Sequence, residues 1–469
     1  MNFWFILGVI LKMAFILGVA LLLYAPVFVL FERRQSAMFQ DRLGPYMGGV
    51  KLPRVVIDSI PTLQLGGYAS AAGAGATAAL ATAMVFLGHA EDPGLWILPI
   101  SWGTLLLLAA AGAPAQAVGA WILPYLFHHD RLTLFGGLHA LFDAVKAFTK
   151  EDIIPPKADK FLYSIAPIIA MIPAFALGAV IPFGPDLHLD YLFDTLPSEG
   201  AIEGTVAHLQ VANLNVGILY VFAVGGTGVI SAAIAGYSSD NKFALLGGIR
   251  AASQMVSYEV TLGLSLVGCF MLYDTLRLDE MIAWQAENSF LGLLPAWGIF
   301  YQPLAFVLFF FASIAEYKRV PFDAPEGESE IVAGYFLEYS TGKWLMWMIG
   351  EFLEVAISSM IIAIVFFGGW DVPGLSRSGW QAFGYRFDLS GTNWEFLSDF
   401  ANAHLTVTLV CIGAFLLKTL LLGILSLQVR WTLPRFRYDQ IMQLCWKLFL
   451  PLSLLNVFVT GIVILLTSS

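Results

Sequence analysis

The sequence predicts an all-α polytopic membrane protein with about ten transmembrane helices, and three observations support this fold class. Hydrophobic residues make up 58% of the 469 residues, whereas charged residues make up only 12%. Apolar runs long enough to cross a bilayer recur along the chain. Most lysines and arginines fall in alternate loops between these runs. A soluble chain of this length would carry more charge.

The individual helices follow from the apolar runs. The predicted spans are 3–31, 65–88, 94–113, 161–182, 214–237, 257–273, 295–314, 344–367, 405–427 and 446–466. The run 65–88 carries small residues at every fourth position, which suits close helix packing. The runs 65–88 and 94–113 form a pair of crossings, so they leave all later spans on the same side of the membrane.

The basic residues predict the orientation of the chain. Three of the 24 lysines and arginines, Arg277, Arg377 and Arg386, fall in loops on one side of the predicted membrane. Most of the others lie in loops on the opposite side, which the positive-inside rule assigns to the cytoplasm. The net charge of −10 comes with acidic outer loops and gives nucleic-acid binding no support.

An interfacial helix is predicted over 137–150. Its apolar residues follow three- and four-residue spacing, and its charged residues lie on other faces. The apolar positions are Leu138, Leu141, Phe142, Val145 and Phe148, and the charged ones are Asp143, Lys146 and Lys150. Asp143 would then lie beside the membrane surface.

The predicted cytoplasmic loop 315–339 carries six carboxylates between two spans. They are Glu316, Asp323, Glu326, Glu328, Glu330 and Glu338. Carboxylates next to hydrocarbon are costly unless water, cations or protons accompany them. A solvated acidic loop is the simpler interpretation. Two prolines that restrict the backbone, Pro321 and Pro325, and two cations, Lys318 and Arg319, favour a functional cluster.

Carboxylates also occur inside predicted spans. Glu259 interrupts an apolar run and is therefore a functional candidate. Arg250 or Lys242 would neutralise it in the simpler interpretation, and a paired carboxylate can also serve a proton relay. Glu351 and Glu354 lie three residues apart, on one face of the span that follows the acidic loop.

The acidic loop resembles the signature loop of a known family, the H subunits of proton-pumping NADH:quinone oxidoreductase, which form the heel of the membrane arm of respiratory complex I. The matched pattern is Ala-Glu, an Arg three residues on, Pro-Phe-Asp-x-Pro-Glu-x-Glu-x-Glu-Ile-Val-Ala-Gly and Glu-Tyr. Further similar elements are Glu32-Arg33-Arg34 with Gln40, Arg42 and Gly44-Pro45, then 151–155, 235–242 and 429–440.

The resemblance divides the chain into three parts. Residues 1–45 form the first transmembrane helix and a cytoplasmic loop with Arg42 and a Gly-Pro turn. Residues 46–136 have no counterpart in the family pattern and are interpreted as an insert with two transmembrane helices. Residues 137–469 hold the amphipathic helix and the remaining bundle, so that eight spans are family-like.

The resemblance also implies roles for individual residues. The proton-relay candidates are Glu259, Glu316, Glu326, Glu328, Glu330, Glu338 and Glu351. The quinone-binding candidates are Glu32, Arg34, Arg42, Asp143, Arg319 and Asp323. The supporting charges are Lys242, Arg250 and Lys418. Arg435 and Arg437 are expected to anchor the chain to lipid or a partner.

Cofactors and partners follow in the same way. Cys269, Cys411 and Cys445 are far apart in sequence, so no metal or iron–sulfur site is expected in this chain. The resemblance implies quinone as substrate, with FMN, NAD and iron–sulfur clusters held by partner subunits. The expected partners are the peripheral quinone-module subunits, adjacent small membrane subunits and lipid of the cell inner membrane.

Two other functions fit parts of the sequence. The matching membrane subunit of an energy-converting hydrogenase carries similar charged loops and uses no quinone, and the divergent residues after Gly44-Pro45 favour it. The length of the match over 315–339 and 429–440 opposes it. A free-standing ion transporter fits least well, because the cytoplasmic loops are rich in charge suited to docking.

Overall fold

The computed structural model describes twelve stretches of the chain. They are residues 25–41, 50–51, 127–128, 131–132, 138–188, 206–290, 294–327, 332–373, 375–376, 379–382, 385–388 and 400–468. The chain divides into two compact units, one of residues 1–32 and 146–469 and the other of residues 33–145. Each unit is described by itself.

Helices account for most of the described residues. They are α1 (Ala25–Phe39), α2 (Leu138–Thr149), α3 (Lys160–Gly178), α4 (Gly217–Gly225), α5 (Gly228–Ser238), α6 (Lys242–Tyr273), α7 (Leu278–Glu287), α8 (Gly298–Tyr301), α9 (Pro303–Glu316), α10 (Thr341–Phe367), α11 (Phe400–Thr432), α12 (Tyr438–Leu444) and α13 (Leu450–Ser468). A 3₁₀ turn covers Gly334–Phe336, and a π-helical turn, Cys445–Phe449, joins α12 to α13.

Short antiparallel ladders of two to four residues close several connections. In the larger unit these are β4 (Leu187–His188) with β5 (Val206–Ala207), β6 (Ser289–Phe290) with β7 (Leu294–Pro295), and β8 (Leu375–Ser376), β9 (Gly379–Ala382) and β10 (Tyr385–Asp388) in the order β10-β9-β8. The all-α prediction therefore holds for the bundle, while short ladders occur in its connections.

Six described helices are long and apolar enough to span a membrane. They are Lys160–Gly178, Gly217–Ser238, Lys242–Tyr273, Thr341–Phe367, Val407–Thr432 and Tyr438–Thr467, and Pro303–Glu316 is a shorter apolar helix. Six predicted spans are thereby confirmed. The predicted spans 65–88 and 94–113 lie outside the described residues, as does most of 3–31. The full set of ten stays a prediction.

Two predicted spans differ in detail from the observed helices. Helix α6 begins at Lys242, well before the predicted 257, because the Asn241 side chain caps it by accepting a hydrogen bond from the backbone N–H of Phe243. The span Gly217–Ser238 is interrupted between α4 and α5. There the Thr227 hydroxyl donates to the carbonyl of Val224 at 2.6 Å.

Helix α10 is the centre of the larger unit. In its membrane-length window 83% of the residues are buried, compared with 22% for the span Tyr438–Thr467. The last helix leaves large apolar side chains exposed, such as Phe458 and Leu465. An ionisable side chain on α10 is therefore surrounded by protein, whereas the outer face of α13 is suited to lipid or a neighbouring subunit.

The smaller unit contains the two ends of the predicted insert. Strand β3 (Arg131–Leu132) pairs with β1 (Val50–Lys51) and with β2 (Phe127–His128), so the ends of the insert meet. Helix α2 confirms the helix predicted over 137–150, and its Phe148 is 70% exposed. Arg33 on α1 forms an ion pair of 2.5 Å with Asp143 on α2.

Candidate functional site

The acidic loop folds back against the helix bundle. Gly334 has a φ of +62°, and a Cβ atom at this position would collide with the carbonyl oxygen of Pro325. Only glycine fits such a turn. The Gln254 side chain on α6 donates to the carbonyls of Ala315 and Phe322, at 2.8 and 2.7 Å. These contacts hold the beginning of the loop against α6.

An aromatic cluster holds the far end of the loop. Tyr163 stacks on Tyr339 with a centroid distance of 4.2 Å and donates its hydroxyl to the carbonyl of Glu338 at 2.7 Å. Trp347 packs against both Tyr335 and Tyr339. The loop is therefore anchored at both ends, which fixes its charged side chains relative to α10.

Arg319 links three helices through its guanidinium group. It donates to Glu32 on α1 at 2.8 Å and lies 3.7 Å from Glu351 on α10. Arg430 on α11 forms a second ion pair with Glu32. Arg319 also lies over the ring of Phe352, 4.2 Å from its centroid. Three residues predicted from the sequence, Glu32, Arg319 and Glu351, thus meet in one buried network.

Lys318 and Glu354 form a neighbouring ion pair. The Lys318 ammonium lies 3.9 Å from a carboxylate oxygen of Glu354 and 5.8 Å from the ring centroid of Tyr335. Burial by itself lowers the pKa of Lys318, but the carboxylates of Glu354 and Glu351 outweigh it, so that the pKa is raised overall. Lys318 therefore stays positively charged.

Asp323 also lies in the cluster and is almost completely buried. It pairs with Arg435 at 2.8 Å, in the segment between α11 and α12. The backbone N–H of Phe436 donates to the carbonyl of Pro321 at 3.0 Å. Arg435 was expected to contact lipid or a partner. It instead joins the last predicted cytoplasmic segment to the acidic loop of the same chain, since Asp323 requires a cation once it is buried.

Three carboxylates line a cavity between α3, α4, α6, α9 and α10. They are Glu259, Glu316 and Glu354. The cavity encloses about 90 Å³, which is room for several water molecules. Ser313 and Ser358 also line it, and the other lining residues are largely apolar. Glu259 and Glu316, which are 57 residues apart in sequence, therefore face one polar space.

The break between α4 and α5 makes room for Glu259. A Cβ atom on Gly226 would lie 2.5 Å from a carboxylate oxygen of Glu259. Any larger residue at this position requires one of the two groups to move. Gly226 thus allows Glu259 to lie directly against the interrupted helix.

Carboxylates outnumber basic side chains among the described residues of this cluster. The acidic members are Glu32, Glu259, Glu316, Asp323, Glu326, Glu351 and Glu354, and the basic members are Lys318, Arg319, Arg430 and Arg435. Within the described part of the chain, neither Glu259 nor Glu316 forms an ion pair. A buried carboxylate without a cation is stabilised by binding a proton or by water.

Glu326 shows the effect of this imbalance outside the membrane spans. Burial, together with the negative charges of Glu351 and Asp323, raises the pKa of Glu326 well above its ordinary value of 4.5. Arg319 and Lys318 act in the opposite direction but do not cancel the shift. Glu326 therefore holds a proton at a pH where an exposed glutamate has lost it.

Several predicted residues lie away from this network. Glu338 accepts a hydrogen bond from the Asn241 amide at 2.6 Å, and Lys242 is exposed at the start of α6. Arg250 lies over the Tyr438 ring, 5.8 Å from its centroid, so it does not neutralise Glu259. Lys418 lies at the opposite end of α10.

The remaining predicted residues fall in the other unit or in parts that the structure does not describe. Arg34 and Asp143 belong to the smaller unit. Arg42, Glu328 and Glu330 lie outside the described residues. Among the described residues, no group of three or more histidine, cysteine, aspartate or glutamate side chains is arranged to hold a metal ion.

Sequence reasoning missed or underrated four members of the site. Glu354 was given less weight than Glu351, although its spacing of three residues was an available signal. Lys318 and Arg430 were not assigned to the site, since basic residues next to a span ordinarily serve as topology anchors. Nothing in the sequence marks Gly226, because its contact with Glu259 depends on how α4 packs against α6.

Long apolar helices around a buried ionisable cluster define a multi-pass membrane protein whose core is arranged for charged groups. Comparison with known proteins identifies the family. A family model described as NADH dehydrogenase matches residues 129–461. The chain is 40% identical to an NADH-quinone oxidoreductase H subunit of Geobacter metallireducens, the one numbered 2 there, over 70% of this chain and 83% of that relative.

Two further relatives are also H subunits of NADH-quinone oxidoreductase. The chain is 38% identical to the one from Flavobacterium johnsoniae, over 79% of this chain and 94% of the relative. It is 39% identical to the one from Thermomicrobium roseum, over 71% of this chain and 85% of the relative. This chain belongs to the H-subunit family of NADH-quinone oxidoreductase. It is a membrane subunit of a multisubunit enzyme, respiratory complex I, whose other subunits are its partners.

Proposed function

We propose that this chain couples quinone reduction to proton translocation through its buried carboxylates. Glu259, Glu316 and Glu351 carry protons within the bundle, and Glu326 carries them in the acidic loop. Glu328, Glu330 and Glu338 belong to the same proposed relay, to which the resemblance to the family assigns them. Lys242, Arg250 and Lys418 are its proposed supporting charges.

The cavity shared by Glu259 and Glu316 is the observation that carries this proposal. It provides two carboxylates without an ion pair among the described residues, next to a space with room for water. Proton transfer requires a donor and an acceptor within hydrogen-bond reach or joined by one water molecule. Two carboxylates that face one small hydrated cavity meet this requirement.

The network at Arg319 links this cavity to a proposed quinone site. A quinone needs an apolar passage that ends at polar groups near the electron donor. We propose Glu32, Arg319 and Asp323 as part of that polar end, together with Arg34, Arg42 and Asp143. Quinone reduction takes up protons and changes the local charge, to which Arg319 responds through its contacts with both Glu32 and Glu351.

The proposal includes partners that supply the electrons. FMN, NAD and iron–sulfur clusters reside on other subunits, and the quinone-module subunits dock on the predicted cytoplasmic loops. Adjacent small membrane subunits and lipid cover the exposed faces of the bundle in the cell inner membrane. The named relatives are all NADH-quinone oxidoreductase subunits, which favours this function over that of a hydrogenase membrane subunit.

The test replaces Glu259 and Glu316 separately by Gln in the intact complex. Each variant removes the titratable group and retains the shape of the side chain. We expect each to lower quinone reduction and proton translocation by about tenfold or more, since removal of a proton-transfer group has effects of this order. Activity is measured in membrane vesicles and normalised to the assembled complex. Full activity of both variants would contradict the proposal.

A further inference from the structure

Glu354 connects two parts of the site that are otherwise separate. It lines the cavity with Glu259 and Glu316 and also pairs with Lys318 of the acidic loop. Glu351, one turn earlier on α10, faces Arg319 and the hydroxyl of Tyr335 and does not line the cavity. Among the described carboxylates, Glu354 alone combines a place in the cavity wall with an ion pair to the loop.

The carboxylates of Glu354 and Glu316 each have one buried oxygen, Oε2, without a hydrogen-bond partner among the described residues. The nearby Ser358 hydroxyl does not satisfy Glu354, because it donates to the backbone carbonyls of Glu354 and Val355. A buried acceptor without a donor is destabilising. A proton on either carboxylate, or a water molecule between them, would supply the missing donor.

Lys318 is placed to control the charge of Glu354. Its side chain is only 5% exposed, and its backbone adopts the left-handed region, with a φ of +58°. The distance of 3.9 Å to Glu354 is longer than a hydrogen bond. The ammonium thus attracts the carboxylate without a fixed hydrogen bond to it, which leaves the carboxylate able to accept a proton.

We propose that Glu354 is a further proton-carrying residue, which moves protons between the Glu316 cavity and the acidic loop, and that Lys318 is a positioning residue that keeps Glu354 ionised between transfers. This inference rests on the proposed relay function. In the transfer step the O–H bond of protonated Glu316 breaks and an O–H bond forms on Glu354, directly or through one water. Glu316 is left as the carboxylate.

The charged and titratable groups that face Glu354 limit the interpretation of any pH effect. They are Lys318, Arg319 and Tyr335 from the loop, Glu316 from α9, Glu259 from α6 and Glu351 from α10. A pH profile of a Glu354 variant alone therefore reports on the whole group. Comparison with a Lys318 variant isolates the pair.

The experiment compares Glu354→Gln with Ser358→Ala, a matched control that changes a non-titratable cavity residue on the same helix. Quinone reductase activity and proton translocation are measured in membrane vesicles per assembled complex. We expect Glu354→Gln to lose about tenfold in both activities, Glu354→Asp to retain most of them and the control to remain unchanged. If Glu354→Gln behaves like the control while Glu316→Gln is inactive, the inference fails and the proposed function stands.

Lys318→Met provides the independent readout. Removal of the positive charge makes the Glu354 carboxylate harder to ionise, so the pH optimum of quinone reduction should move to higher pH, whereas Lys318→Arg should retain the original profile. A structural defect alone would lower activity at every pH. An unchanged pH optimum in Lys318→Met overturns the role of the pair, even if Glu354→Gln fails to assemble. Full activity in both Glu259→Gln and Glu316→Gln would instead refute the relay itself.

Discussion

The two ends of helix α10 hold buried charge in opposite ways. Near its beginning, the carboxylates around Glu351 outnumber the basic side chains, and some of their oxygens have no hydrogen-bond partner among the described residues. Beyond its last residue, Lys418 donates to the carbonyls of Phe367, Gly369 and Asp371 at 2.8, 3.0 and 2.6 Å. An ammonium group has three protons, and here each has an acceptor.

The difference separates a structural charge from one that can titrate. Phe367 is about 20 Å along the helix from Glu354, at 1.5 Å per residue, so the two regions share a helix without direct contact. Lys418 also lies over the Trp297 ring, 5.1 Å from its centroid. A charge whose donors are all used stabilises one conformation, whereas the acidic cluster retains unsatisfied groups that protons can occupy.

The largest effect on folding is expected for Lys418→Met. The change leaves three carbonyls at the end of α10 without their donor, which costs about 3 kcal/mol or more. We expect a lower Tm in detergent and little assembled complex. Leu417→Met is the matched control, since Leu417 is 56% exposed on the outside of the bundle. A normal Tm combined with lost proton translocation would return Lys418 to the relay.

The opposite result is expected for Glu351→Gln. Arg319 retains its ion pair with Glu32 in this variant, so the Tm should change little. Quinone reduction should still fall by about tenfold, because the glutamine cannot carry a proton. Ser359→Ala on the same helix serves as the control. Equal losses in Tm and activity would show that Glu351 serves the fold, as Lys418 does, and would remove the contrast between the two regions.

A smaller effect is expected from Gly226→Ala. The added Cβ displaces the Glu259 carboxylate, which lies 2.5 Å from its position. Proton translocation should fall several-fold, which is about 1 kcal/mol in activation free energy. Gly225→Ala is the matched control, because a Cβ there meets no atom within 4 Å. Equal activities of the two variants would show that Glu259 has room to shift without consequence.

The smallest effect concerns the pH dependence of stability. Since the pKa of Glu326 is raised in the folded protein, its contribution to stability is fully present below its ordinary value of 4.5 and is lost as the pH rises through the raised value. Glu326→Gln removes this contribution. Its Tm should therefore decline less between mildly acidic and alkaline pH than that of the unchanged protein. Parallel declines would mean that Glu326 is solvated in the assembled complex.

The sequence by itself determined the fold class, the six described spans and the chemical character of the site. Long apolar runs predict membrane helices because the bilayer leaves the backbone no other partner than itself. The acidic loop, Glu259 and Glu351 stood out because carboxylates are costly beside hydrocarbon. The amphipathic spacing also predicted α2. These features depend on composition and on neighbours along the chain.

Only the tertiary structure decided which charges meet. Glu32 and Arg319 are 287 residues apart in sequence and form a hydrogen-bonded ion pair. Glu354, Lys318 and Gly226 gain their places from the packing of α4, α6, α9 and α10, and Lys418 is satisfied by carbonyls beyond the end of α10. Electrostatic interactions depend on distance and burial in space. The spacing of residues along a chain does not determine either quantity for helices that pack from distant parts of it.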